Sequence, residues 1–167
     1  MVVKFLFLMV IVSFVGCLTL VGHSHEGASG VTKQRMAGMK IMANSVKSLH
    51  AIVSGKSKLD AEKVRAYTAA IRREGGPRLL KLFPEGSMGY PSEATPQIWG
   101  DWPAFVKLVG TLSQAVDEID ASLTADKPSM LLPGAFKKLS RVCSNCHKRF
   151  RKKKIINSSI LCKDQLS

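Results

Sequence analysis

Arg35, Met39, Met42, Val46, Leu49 and Val53 recur at spacings of 4, 3, 4, 3 and 4. That is the narrow seam of a helix that packs along other helices, and it constrains the fold more than any other feature of the chain. Gly55 closes the seam, as a glycine commonly does just past a helix end. Three further segments show helical periodicity, and none shows strand-like alternation of useful length. In the second, Ser57 with Asp60 resembles a helix-start box, and Leu59, Val64, Tyr67, Thr68 and Ile71 form the stripe. Gly75-Gly76-Pro77 should break that helix, with a further turn between Arg78 and Phe83. Pro84 to Pro96 reads as a loop from its Pro, Gly and Ser content. The third stripe runs through Phe105, Leu108, Val109, Leu112, Val116, Ile119 and Leu123, with Pro103 near its start. The fourth begins around Pro128 or Pro133 and carries Phe136, Leu139, Val142, Cys143, Cys146, His147 and Phe150. Short first and third connections with a longer middle one predict an all-α, antiparallel four-helix bundle.

The 167 residues suit one domain plus an export segment, and 46% hydrophobic residues can supply a core. Residues 1–22 have the layout of a signal peptide: Lys4, an apolar run from Phe5 to Val15, then small and polar residues. Phe5 to Val21 is at the short limit for a membrane span, so cleavage is expected rather than a retained anchor. Cys17 offers a third outcome, because Phe14-Val15-Gly16-Cys17 loosely resembles a lipoprotein box that would acylate Cys17. The expected organisation is a leader over 1–22, a bundle over 29–154 and a tail over 155–167.

Cys143-Ser144-Asn145-Cys146-His147 is a C-x-x-C-H string, which reads as an attachment site for a c-type haem. On a helix, Cys146 lies about 60° behind Cys143 and His147 about 40° ahead of it. Both thiols and the imidazole therefore project within one arc. The thiols can add to the two vinyl groups of a haem lying against the helix, and the imidazole can reach the iron from the same side. A thioredoxin-like dithiol expects a preceding strand and a βαβ context, and a structural zinc site needs four ligands. An exported dithiol or metal-binding module is the haem-independent alternative.

The second face of the iron could hold water, a gas, an apolar blocker or another side chain. The first helix offers Met36, Met39 and Met42; Met39 and Met42 lie on the seam and Met36 lies off it. Flexible core filling is the bland explanation for all three.

Four strings together resemble the cytochrome c-prime family, the class II c-type cytochromes of the bacterial periplasm. They are Cys143-x-x-Cys146-His147-x-x-Phe150-Arg151, Leu82-Phe83-Pro84-Glu85-Gly86-Ser87, Pro96-Gln97-Ile98-Trp99 and Arg35-x-x-x-Met39-Lys40. The resemblance runs from about Val31 to Lys154. It implies one covalently attached haem c (iron) per chain, held by Cys143 and Cys146, with His147 as proximal ligand. It also implies periplasmic single-electron transfer with no catalysis. In the low-spin branch of the family the position four residues after the first-helix Arg is a Met that ligates iron, which makes Met39 the expected sixth ligand. In the other branch that position is a bulky apolar residue, and a five-coordinate haem binds NO or CO. The resemblance sets Arg35 near the haem propionates and Arg151 beside the proximal His, and family members often form homodimers through the first two helices. Three features depart from the family pattern: the Gly75-Gly76-Pro77 interruption, a similar interruption by Gly100 and Pro103 near Trp99, and the tail beyond the basic run with Cys162 in it.

The chain carries a net charge of +13. Nine cations lie between Lys137 and Lys154 with no acid among them. On the helix that carries the haem they could steer an acidic redox partner, or they could simply form a solvated face. Export, and a basic run with no aromatic but Phe150, argue against nucleic acid.

Overall fold

The computed structural model describes residues 30–152. The leader 1–22, Cys17 and the tail 155–167 with Cys162 lie outside the described residues. Four long helices form the domain: α1 (Gly30–Val53), α2 (Ala61–Gly75), α5 (Trp102–Ser122) and α6 (Pro128–Phe150). Two short ones, α3 (Pro77–Lys81) and α4 (Gln97–Gly100), lie in the middle connection. Each long helix packs on two others, α1 on α2, α2 on α5, α5 on α6 and α6 back on α1. Cross-helix polar pairs record an antiparallel register. Thr68 and Arg72 of α2 meet Asp120 of α5, and Arg72 also meets Asp117. Lys138 of α6 meets Glu118, while Arg149 meets Asp101 just ahead of α5. The expected four-helix bundle is the observed fold.

Local chemistry sets the boundaries. Asp60 caps α2 by accepting from the amides of Glu62 and Lys63. Leu59 therefore precedes the helix and is 41% exposed, so it is not part of the stripe as expected. The Gly75-Gly76-Pro77 break occurs where predicted, and Pro77 opens α3 at a position where its missing amide proton leaves no bond unmade. α6 starts at Pro128, and Pro133 lies inside it, still close to the helix N-terminus. Among the described residues no helix is long and apolar enough to cross a membrane.

The core has two parts. One surrounds Leu49, Val64, Ile71, Val116, Ile119 and Leu139. The other, toward the middle connection, gathers Leu79, Phe83, Ile98, Phe105, Val109 and Phe150. Its three phenylalanines meet edge to face, with Phe105 5.0 Å from Phe83 and 5.5 Å from Phe150 between ring centroids. Met39 and Leu108 pack against both parts and so mark the joint between them.

Candidate functional site

Cys143 and Cys146 lie one turn apart near the end of α6, both half-buried and both free thiols. Cys143 rests on the first part of the core and Cys146 on the second, so the pair straddles the joint. Met39 of α1 is half-buried and packs against both parts. The structure thus brings α1 at Met39 and the thiols of α6 to the same level of the bundle. Met42 is buried within the first part, and Met36 belongs to neither. His147 is exposed on α6.

The electrostatics of the motif favour neutral donors. Burial raises the pKa of the Cys143 thiol. Burial, together with the neighbouring Cys143, pushes Cys146 up to about 11. A reactive dithiol needs the opposite, a depressed pKa, so the redox-dithiol reading loses support. His147 is lowered by desolvation and then by the charge of Arg151, with Glu93 opposing. That favours the neutral imidazole, whose free nitrogen can donate to a metal. No group of three or more His, Cys, Asp or Glu side chains that could hold a metal ion occurs among the described residues.

Arg35 is only 4% exposed. Its guanidinium donates to the Ser87 carbonyl at 2.6 Å, Thr32 Oγ1 at 2.7 Å and Ser87 Oγ at 3.2 Å, and lies 4.6 Å over the Phe83 ring. Among the described residues no carboxylate pairs with it. Burial lowers its pKa without reversing its charge. A buried cation held only by neutral groups calls for an anion, and a haem propionate is such an anion. Beside it, Phe83, Glu85, Trp99 and Trp102 line a cleft of about 310 Å³. Trp99 and Trp102 pack on the part of the core that also carries Cys146. Two thiols and a thioether at the joint of the core, with an exposed imidazole next to Cys146 in sequence and an unpaired buried guanidinium one turn before Met39, are a donor set that suits a covalently held haem.

Arg151 follows α6 directly and is paired with Glu93. The strip Glu93–Thr95 clamps this helix end: Thr95 N donates to Phe150 O at 2.9 Å and Lys152 N to Glu93 O at 2.7 Å. Residue order marks Ser87 only as the end of the Leu82–Ser87 string and does not mark Glu93 or Trp102 at all. Ser87 contributes partly through its backbone, which has no side-chain signature, and Glu93 acts through a loop whose path the sequence does not fix.

The model of the family described as Cytochrome C' matches residues 30–151. Cytochrome c-556 of Agrobacterium tumefaciens (strain II Chrys) is 32% identical over 126 residues, covering 75% of this chain and all of the relative. A solved mutant of Rhodopseudomonas palustris cytochrome c' is 28% identical with a TM-score of 0.67, covering 75% of this chain and 100% of that one. A nitric oxide complex of a mutant cytochrome c prime from Alcaligenes xylosoxidans is 25% identical with a TM-score of 0.65, covering 74% and 94% of the two chains.

Proposed function

The chain belongs to the cytochrome c' family, whose members carry covalently attached haem c, and from that premise we propose that it is a periplasmic carrier of single electrons with His/Met axial ligation. In this reading Cys143 and Cys146 hold the haem through thioethers and His147 supplies the proximal nitrogen. Met39 would supply sulfur to the iron, and Arg35 would pair with a propionate. The bound haem supplies the one-electron Fe(III)/Fe(II) couple. The protein's own part would be to fix the donors and to raise the potential through the thioether. A haem protein of this family is an electron carrier or a ligand binder rather than a catalyst.

What carries the reading is the position of Met39, half-buried at the joint of the two core parts on which Cys143 and Cys146 rest. The experiment is an absorption spectrum of the reduced holoprotein with and without CO, repeated for Met39→Ala. The wild type should be low-spin and indifferent to CO, and Met39→Ala should turn high-spin and bind it. A wild type that binds CO at once would overturn the His/Met assignment. It would favour the second reading, a five-coordinate haem binding NO or CO, which the nitric oxide complex of a relative recommends. The periplasmic address rests on the leader in residues 1–22, and an acidic redox partner on the basic C-terminal helix.

A further inference from the structure

The cations of α6 and of the residue just after it do not form one patch. Lys138, Arg149 and Arg151 are each paired, with Glu118, Asp101 and Glu93. These three tie α6 to α5 and to the middle connection, and their charge is spent within the fold. Lys152 follows the helix and donates to the Ser92 carbonyl at 3.5 Å. Lys137, Arg141 and Lys148 are exposed, and none has an acidic partner among the described residues. Steps of 4 and 7 residues put these three within about 40° of one another on the helix, along about 16 Å of its length.

We propose that Lys137, Arg141 and Lys148 form a docking stripe for an acidic face of a protein redox partner, the proposed electron carrier being the premise. Four observations favour such a partner. The three cations are uncompensated, so a carboxylate-bearing face meets no internal competitor. Ser144, the exposed position between Arg141 and Lys148 on this line, is small and leaves the charged heads unobstructed. Met130 lies on the same line and is 70% exposed, giving the stripe one apolar anchor at its far end. Lys148 is the residue after His147, so the stripe runs to the level of the haem motif. Met130 and its exposed neighbour Leu131 are too little apolar surface for insertion into a membrane, and an aromatic to stack on nucleic-acid bases is missing from the stripe.

The test uses the haem-loaded protein and an acidic flavodoxin as probe, with electron exchange followed by stopped flow. For the wild type the second-order rate constant should fall steeply as salt rises from low ionic strength. The triple variant Lys137→Glu/Arg141→Glu/Lys148→Glu should be slower by about tenfold or more at low salt and nearly insensitive to salt. A control triple, Lys47→Glu/Lys56→Glu/Lys58→Glu, makes the same change in net charge on α1 and the loop after it, and should move the rate by less than about twofold. Chemical-shift mapping on the wild-type holoprotein should place the probe on residues 137–148. Equal slowing by both triples would overturn the stripe, since net charge alone would then act. So would loss of binding to phosphatidylglycerol vesicles or duplex DNA in the stripe variant with the flavodoxin rate unchanged. A protein without haem absorbance would instead sink the carrier reading itself, so the two failures are distinguishable.

Discussion

Gly38 of α1 lies against the carboxylate of Glu74 on α2: a Cβ at Gly38 would stand 3.2 Å from Glu74 Oε2. Glu74 is buried and held by Arg73 and Arg78, which flank it across the Gly75-Gly76-Pro77 break. The close approach of α1 and α2 is thus set one residue before Met39. Gly76 is more tightly placed, because its Cβ would fall 2.7 Å from Arg72 O, a backbone atom that cannot turn away. At Gly75 the neighbours are Leu112 Cδ2 at 2.6 Å and Met42 Sδ at 2.8 Å, ends of side chains that can rotate. The ranking of Ala substitutions follows. Gly38→Ala should stay within about 1 kcal/mol of the wild type, a small shift of Glu74 being offset by better helix propensity. Gly75→Ala should cost about 1 kcal/mol and Gly76→Ala about 2–3 kcal/mol. Urea unfolding of the three variants checks the order, and Gly75→Ala as the worst would show a core that cannot yield.

Arg35 supplies the second prediction. Its bonds to Ser87 and Thr32 tie α1 to the loop after α3, and its charge has no internal counter-ion. Arg35→Leu should destabilise the holoprotein by about 1.5–3 kcal/mol, the range for hydrogen bonds to a charged group. In the apoprotein the loss should be smaller, because removal of an unpaired buried charge is itself favourable. Arg35→Lys should recover only part of the holoprotein's stability, a single ammonium replacing a planar fork. Paired thermal melts of apo and holo forms read the difference. An equal loss in both forms would mean that Arg35 serves the loop alone.

Much of this arrangement is legible in residue order. The seam from Arg35 to Val53 encodes the burial pattern of α1, and Cys143-x-x-Cys146-His147 announces its chemistry without a structure. Periodicity reports which face of a helix is apolar, so it found the stripes but misjudged Leu59, where a capping Asp60 rather than hydropathy decides the boundary. The sorting of the α6 cations was not legible. Lys137 and Lys138 are neighbours in sequence, yet only Lys138 faces Glu118, and that depends on how α5 lies against α6. Likewise the counter-ion-free state of Arg35 depends on the path of the 84–96 loop, which composition identifies only as irregular.

The third prediction concerns pH. The Lys63 amide bond to Asp60, then the Lys63 charge and further hydrogen bonds, hold the Asp60 carboxyl below its ordinary 3.8, against a smaller opposing effect of desolvation. A carboxyl depressed in the folded state stabilises it above the unfolded pKa, and that contribution is lost as pH falls through the folded value. Asn caps a helix as well as Asp but carries no charge. Wild type should therefore melt above Asp60→Asn at pH 6, and the gap should close as pH drops below about 3.8. A gap that stays constant down to pH 2 would show that the charge has no part in it.

Asp101 does two things at once, and they can be separated. One oxygen accepts from Ala104 N at 3.3 Å and caps α5, while the other pairs with Arg149 near the end of α6. One carboxylate therefore joins the start of one helix, directly after Gln97–Gly100, to the last turn of its neighbour at Arg149, two residues from His147. The ion pair is partly exposed, so it should contribute less than about 1 kcal/mol and be screened by salt. Asp101→Asn keeps the cap and loses the pair; its small cost should vanish in 1 M NaCl. Asp101→Ala loses both and should cost about 1 kcal/mol more at any salt concentration. A double-mutant cycle with Arg149→Gln isolates the pair. Coupling that survives high salt would mean the pair is more sheltered than its exposure indicates, and a vanishing gap between the Asn and Ala variants would remove the cap from the account.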